Sequence, residues 1–400
     1  MKILLSKLTQ MRMTKFTREF HLTIENKFKQ MKKPKVIIFG VKYFPSKGGT
    51  SRVVENIIHQ LKDKYDITLL CYKNKAAQNH MDGIKVVEFT SWFQGSLGAL
   101  FYFLRSALYA LTQTFDIIHI HKIDAAFFIP WFYKKGVVIA TSHESAYLRD
   151  KWGKLEKKYL MQAEKTFLNS KAVLTCISNP LTQNYNQDAS NKVKYIPNGI
   201  TINDQYKEKE ATDFLTQHQL DEGNYYFFAA RRIMKTKGAH TLLAALDKIN
   251  YEGKIVIAGD LSHNKEYRHQ LQENYKHLNI IFPGYISDLP LLLTLIKKAK
   301  LFVFPSETEG MSIMLLEAVS TLTPIIASDI KENKEVFDDQ HLTFFKSEDS
   351  NDLASKISWF ESNKEIAKRQ ALEAVTHVKN NYSWSEIAKQ YDGLYTKSLN

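Results

Sequence analysis

The sequence predicts an α/β protein made of two doubly wound, Rossmann-like parallel-sheet domains. Three observations carry that prediction. The chain has 400 residues, more than a single core covers. Short apolar runs alternate with amphipathic stretches of helical period, the pattern of strand–helix–strand units. A polar interval at 200–224 divides two such series, and the second begins at Tyr225. The expected organisation is a basic arm over 1–34, a first domain over 35–200 to which about 383–400 return, and a second domain over 201–382.

The first series opens with KVIIFG at 35–40, a buried strand, followed by a loop that holds Gly48 and Gly49. A helix is expected from about 50 to 64, with Val53, Ile57 and Leu61 on one face. Further strands are expected at 67–71, 85–89, 116–121, 137–141, 172–178 and 194–197. Between them, 91–112 is apolar on most faces. Its length and Arg105 argue against a membrane span, so it reads as a core helix, with a place partly in a bilayer interface as the alternative. In the stretch 149–168, Trp152, Leu155, Tyr159, Ala163 and Phe167 form one stripe, and most of the lysines lie off it. The second series has strands ending at Arg232 and at 254–258, 279–282, 301–304, 324–327 and 342–345, and is helical from 349 onward.

Charge is unevenly shared. Residues 1–200 hold 31 Lys+Arg against 14 Asp+Glu, a net of +17, and 201–400 hold 24 against 28, a net of −4. The basic character therefore belongs to the first domain and its partner. In the arm, seven lysines are interleaved with leucines and aromatics, a pattern suited to an anionic membrane surface as well as to a solvated tail. No apolar run reaches the ~20 residues of a spanning helix, and the N-terminus lacks a small-residue cleavage site. Cys71 and Cys176 lie in strand-like runs without metal-ligand spacing. The expectation is a cytosolic chain with reduced thiols, at the inner face of the membrane.

Ligands of open parallel sheets bind at the carboxyl ends of the strands. Four groups of candidates stand there. Glu307, Glu309 and Gly310 follow the strand at 301–304, with a helix start near Ser312 and Glu317 within that helix. Arg231 and Arg232 end a strand, and Lys237 precedes Gly238 and a helix, so two cations can grip a diphosphate from both sides. His143 follows the strand at 137–141, whereas His119 and His121 read as strand-end packing. Pro283, Gly284, Tyr285 and Ile286 can offer backbone groups to a base edge. Each has a bland alternative: glutamates complement a helix dipole, and glycine pairs mark turns. No Asp-x-Asp pair is present to hold a divalent metal.

The order GG, TSHES, ISN, IPNG, RRIMKTKG, AGD, FPGYIS, PSETEGMSIMLLEA, ASD, YSW resembles the retaining glycosyltransferases of family 4, which have the GT-B fold. The resemblance runs from Lys35 to Asn400. FPSKGG and SHESAYLRDKWGKLEKKYL are similar to a bacterial rhamnosyltransferase-like branch that builds surface polysaccharides. The resemblance implies Arg232 and Lys237 on a donor diphosphate with Arg231 beside them, Glu317 on the ribose and Glu309 on the donor sugar. It also implies Gly48 and Gly49 against phosphate or sugar, and His143 near the reacting carbon. Gly310 and the amides of Met311, Ser312 and Ile313 would join phosphate or sugar. The implied donor is a nucleoside-diphosphate sugar, with no resident cofactor or metal, and the implied acceptor a glycolipid or polysaccharide. A GT-B sugar-nucleotide epimerase and a basic nucleic-acid-binding protein are the alternatives. The first would form product from donor alone; the second lacks a recognition motif, so nucleic acid is not an expected partner.

Overall fold

The structure, a computed structural model, describes residues 33–400 apart from 47–48, 74–82, 94, 149–151, 189–191, 203–204 and 263. Gly48 and nearly all of the basic arm lie outside the described residues.

Seven strands build the first sheet: β1 (Lys35–Phe39), β2 (Asp66–Tyr72), β3 (Ile84–Phe89), β4 (Ile117–His121), β5 (Val137–Ser142), β6 (Val173–Cys176) and β7 (Val193–Tyr195). Their order is 3-2-1-4-5-6-7, all parallel. Six strands build the second: β8 (Tyr225–Arg232), β9 (Lys254–Asp260), β10 (Asn279–Gly284), β11 (Leu301–Phe304), β12 (Ile325–Ser328) and β13 (Thr343–Phe345). Their order is 10-9-8-11-12-13, again all parallel. Strands covered on both faces need apolar side chains in both directions, which is why the central runs Val36–Phe39 and Leu301–Phe304 are continuously apolar and buried. Each sheet has one topological switch point, β1/β4 in the first and β8/β11 in the second.

The helices of the first domain are α1 (Gly49–Leu61), α2 (Gly95–Thr112), α3 (Lys154–Leu168) and α4 (Asn179–Asp188). Those that follow are α5 (Glu208–Gln217), α6 (Ala239–Lys248), α7 (Lys265–Asn274), α8 (Leu289–Lys297), α9 (Ile313–Val319), α10 (Lys331–Lys334), α11 (Ser350–Ser362), α12 (Lys364–Asn381) and α13 (Trp384–Leu399). Helix α1 buries Val53, Ile57 and Leu61, the face that its periodicity marks.

Two expectations need correction. Helix α2 is only half a core helix: Tyr102, Phe103, Ala107 and Ala110 are buried, but Leu97 is 70% exposed and Leu100 and Leu108 also face outward. Trp92, just before it, is 67% exposed. Arg105 stays at the surface by stacking its guanidinium over the rings of Phe89 and Trp92, 4.6 and 5.2 Å from their centroids. In α3 the buried residues are Leu160, Ala163 and Phe167, while Leu155 is 84% exposed. The first turn of α3 is fixed by Glu156, which accepts from the Gly153 amide at 2.7 Å and from Ser96 Oγ at the start of α2, and this turns Leu155 away from the core.

The chain crosses between the sheets twice. Ile200 N donates to Tyr382 O at 2.7 Å and Trp384 N to Ile200 O at 3.2 Å, so the two crossings are stitched together. Helix α13 then packs on the first domain. Trp384, Ile387, Tyr391 and Tyr395 share a core with Val36, Ile38, Val54 and Ile67, and Tyr65 Oη donates to Asp392 at 2.9 Å. Cys71 and Cys176 are buried free thiols, raised to about 12 and about 11 by burial.

Candidate active site

The two switch points face one another, and most of the residues singled out by the sequence sit at or beside them; Gly48 lies outside the described residues, and Gly284, Tyr285 and Ile286 stand at the end of β10, at the edge of the second sheet. On the second domain, β8 delivers Arg231 and Arg232 and then a short 3-10 turn, Lys235–Lys237. Gly238 closes that turn at φ 71°, and a Cβ there would lie 1.9 Å from Pro305 O. Only glycine permits this approach, because it combines a left-handed backbone with direct contact. The neighbouring bond from Glu307 N to Thr236 O, 2.9 Å, sews the loop after β8 to the loop after β11.

Lys237 and Glu309 meet as a result. Lys237 Nζ donates to Glu309 Oε1 at 2.6 Å, and Ser306 Oγ donates to the same oxygen at 2.6 Å. Behind them, Ser328 Oγ donates to Ser306 O and Asn333 Nδ2 to Ser328 O, fixing the loop from below. Glu307 turns aside, 3.5 Å from His240 Nε2.

Glu317 lies in α9, whose start is capped by Ser312 Oγ accepting from Leu315 N at 3.2 Å. It is 6% exposed, and burial raises its carboxyl above the ordinary range while Arg52 pulls it back. Arg52 Nη1, from α1 of the other domain, donates to its Oε1 at 2.5 Å. Met311 is buried against the crossing: Asn198 donates from N to its Sδ at 3.1 Å and from Nδ2 to its O at 3.0 Å.

From the first domain, His143 follows β5 and is buried. A Cβ on Gly310 would lie 2.2 Å from His143 O, so Gly310 is the point where the second domain touches the first beside the histidine. A Cβ on Gly49, by contrast, would meet nothing within 4 Å among the described residues. Gly284 has φ 81°, and Tyr285 after it is half-exposed at the end of β10, with Ile286 packed against the second-domain core.

Sequence reasoning missed several groups on this rim. Lys42 and Lys122 follow the carboxyl ends of the neighbouring strands β1 and β4. Lys122 has a strained φ of 88°. The Lys42 ammonium is pulled below its ordinary value, first by burial and then by Lys122, Arg232 and Arg231, so cations of both domains share one field. Arg231 is likewise lowered, chiefly by burial, with Arg232 and Arg52 adding to it. His121, which the sequence reads as strand-end packing, lies against the candidate, with its Nδ1 3.0 Å from His143 Nε2. The rule that selected His143, a polar side chain at the carboxyl end of a strand, also applies to His121, the last residue of β4. Among the described residues, no group of three or more His, Cys, Asp or Glu is arranged to hold a metal ion, and no helix is long and apolar enough to cross a membrane.

The chain has known relatives. The model of Glycosyltransferase Family 4 matches residues 47–204, and that of Glycosyl transferases group 1 matches 211–376. An uncharacterized glycosyltransferase of Methanocaldococcus jannaschii is 22% identical over 362 residues, covering 88% of this chain and 96% of its own length. The O-antigen biosynthesis glycosyltransferase WclY of Escherichia coli is 24% identical over 208 residues, 52% of this chain and 56% of that one. Among solved structures, Anabaena HepE, in complex with UDP and glucose, superposes with a TM-score of 0.75 at 18% identity, covering 91% of this chain and 100% of that one. The two family matches lie on the two sheet domains in turn, and the chain belongs to the family 4 glycosyltransferases of GT-B fold.

Proposed function

We propose that this glycosyltransferase is a retaining, metal-independent enzyme that moves a sugar from a nucleoside diphosphate to a lipid-linked or saccharide acceptor in bacterial cell-surface polysaccharide synthesis. The observation that carries the reading is the convergence of Arg231, Arg232 and Lys237 with Glu309 and Glu317 at one switch point, facing His143 at the other. The diphosphate lies against the cations, with Glu317 on the ribose hydroxyls, Glu309 on the donor sugar and His143 near the anomeric carbon. Gly284, Tyr285 and Ile286 border the base. Gly49 leaves room for the ligand to approach, since a Cβ there would meet nothing within 4 Å among the described residues.

The chemistry follows from charge. As the bond from the anomeric carbon to the leaving phosphate oxygen breaks, negative charge grows on the diphosphate and positive charge on the sugar ring. Cations fixed at the diphosphate stabilise that state more than the ground state. The acceptor hydroxyl then bonds to the anomeric carbon on the same face and passes its proton to the departing phosphate oxygen. No protein nucleophile is required.

Rhamnose is the first sugar to test, because FPSKGG and the segment from Ser142 to Leu160 resemble the rhamnosyltransferase-like branch. Docking from the cytosol onto an anionic membrane is supported by exposed Trp92, Leu97 and Leu155 beside Lys154 and Lys158. Helices α2 and α3 start at the carboxyl-end rim of their sheet, beside the cleft, where a lipid-held acceptor would enter.

A thermal-shift screen of UDP, GDP and dTDP sugars tests the donor class, since a ligand of the native state raises its melting point. Turnover with the best donor is then measured in EDTA with lipid-linked acceptors. The reading predicts undiminished activity in chelator and product only when acceptor is present. Loss of activity in EDTA would remove the metal-independent mechanism, and product from donor alone would point to an epimerase.

A further inference from the structure

His119, His121 and His143 form a buried row across β4 and the end of β5, and their nitrogens are not used alike. His119 has partners on both: Nδ1 lies 2.6 Å from Tyr395 Oη and Nε2 2.7 Å from Thr141 Oγ1. It is structural, a strut between the sheet and α13. His121 stacks on it, with ring centroids 4.1 Å apart and planes at 34°. The other side of His121 meets His143, Nδ1 to Nε2 at 3.0 Å. The remaining nitrogen of His121, Nε2, is buried and finds no partner among the described residues.

The backbone of His121 is equally confined. Gly40 at φ 104° packs on its carbonyl so closely that a Cβ would lie 1.7 Å from His121 O. The Gly40 amide is held in turn by Tyr102 Oη at 3.1 Å. The imidazole of His121, 1% exposed and lying against the His119 ring, has little room to turn away from His143.

One hydrogen lies between the two rings, and two arrangements are available. If His143 Nε2–H donates, the hydrogen of neutral His121 must sit on Nε2, as a buried N–H with no acceptor. If His121 Nδ1–H donates, the orphaned atom is a bare nitrogen acceptor. Buried N–H groups without partners are rarer than under-satisfied acceptors, so the second arrangement is favoured. Both rings are neutral near pH 7: burial, with Lys122 nearby, holds His143 at about 3, and burial with the two neighbouring histidines holds His121 well below its ordinary value.

We infer that His121 is a positioning residue for His143: it donates from Nδ1 to His143 Nε2, fixes the ring, and leaves the hydrogen of His143 on Nδ1. His143 then offers its Nδ1–H to an oxygen of the donor. This step rests on the proposed contact of His143 with the donor sugar; the tautomer itself does not.

The test uses the full-length protein with 15N-labelled histidine. In the wild type at pH 7.5, side-chain NMR should show His143 as the Nδ1–H tautomer. The His121→Phe variant keeps a ring but no hydrogen bond and should lose that preference. His121→Asn places an amide where Nδ1 stood and should retain it. Groups that orient a metal-ligating histidine are worth roughly 10–100-fold, and an effect of the same order is expected for a histidine oriented without a metal. His121→Phe should therefore lower kcat by about that factor with donor KM within about threefold, and His121→Asn should recover most of the loss. A role in packing alone would move melting temperature without this split between the two variants. A wild-type His143 carrying Nε2–H, or a folded His121→Phe protein with full kcat, overturns the inference. Full turnover of His143→Ala would instead defeat the proposed sugar contact, and the tautomer result would stand separately.

Discussion

Lys237 and Glu309 are bound to each other at 2.6 Å, so the cation expected on phosphate and the carboxylate expected on sugar lie side by side. Both are largely buried, and removing one leaves the other as a poorly solvated charge. Lys237→Met and Glu309→Gln should each lower kcat/KM by about 30-fold or more, the range of a lost charge-assisted contact. The double variant should recover melting temperature relative to either single one and recover no activity. Steady-state kinetics and thermal melts check this; additive losses in stability would mean that the pair is not coupled.

Arg52 and Glu317 join the two domains at 2.5 Å. Arg52 occupies one carboxylate oxygen of Glu317, and a ribose hydroxyl would bond the other oxygen or compete with Arg52 for the same one. Arg52→Met removes this contact and Glu317→Gln removes its charge while leaving an amide oxygen to accept from Arg52, so the radius of gyration seen by small-angle scattering should increase more in Arg52→Met. Only Glu317→Gln should also weaken nucleoside-diphosphate binding, by roughly tenfold for one lost hydrogen bond to a charged group. Equal weakening in both would make Arg52 a nucleotide ligand as well.

Acid should destabilise the fold through its histidines. His119 and His143 are each lowered from 6.5 to about 3, chiefly by burial. Below pH 6.5 the unfolded chain takes up protons that the folded one refuses, so their stabilisation is present above 6.5 and is lost as pH falls toward 3.

Glu335 has the opposite sign. Its Oε1 accepts from the Asn179 amide of α4 at 2.9 Å, across the domain boundary, and burial raises its carboxyl from 4.5 to about 7. The folded state holds the extra proton between 4.5 and 7, so this contribution is present below 4.5 and is lost as pH rises through 7. Glu335→Gln should melt with the wild type near pH 5 and above it at pH 8, by on the order of 2 °C. Differential scanning fluorimetry across pH 5–8 reads both effects.

Membrane docking has its own measurement. Trp92→Ser with Leu97→Ser and Leu155→Ser should reduce co-sedimentation with vesicles containing phosphatidylglycerol and leave the turnover of a short soluble acceptor unchanged. Undiminished binding would move the contact elsewhere on the chain.

The sequence by itself determined both parallel sheets, because strands covered on two faces must be apolar throughout and the helices between them amphipathic. It also marked the carboxyl-end rims and the helix start at Ser312, features set by residues close together in the chain. It did not foretell that Leu155 and the outer face of α2 are exposed, because apolar periodicity cannot tell a face that meets the core from one that meets something else. Nor did it tell His121 from His119. Two residues apart on one strand, they share a face, and only the end of β5 beside one and α13 beside the other give them different partners. The pairs Lys237–Glu309 and Arg52–Glu317 span 72 and 265 residues. Tertiary structure alone decided them, since glycines at 238 and 310 let backbones close to distances that no local pattern encodes.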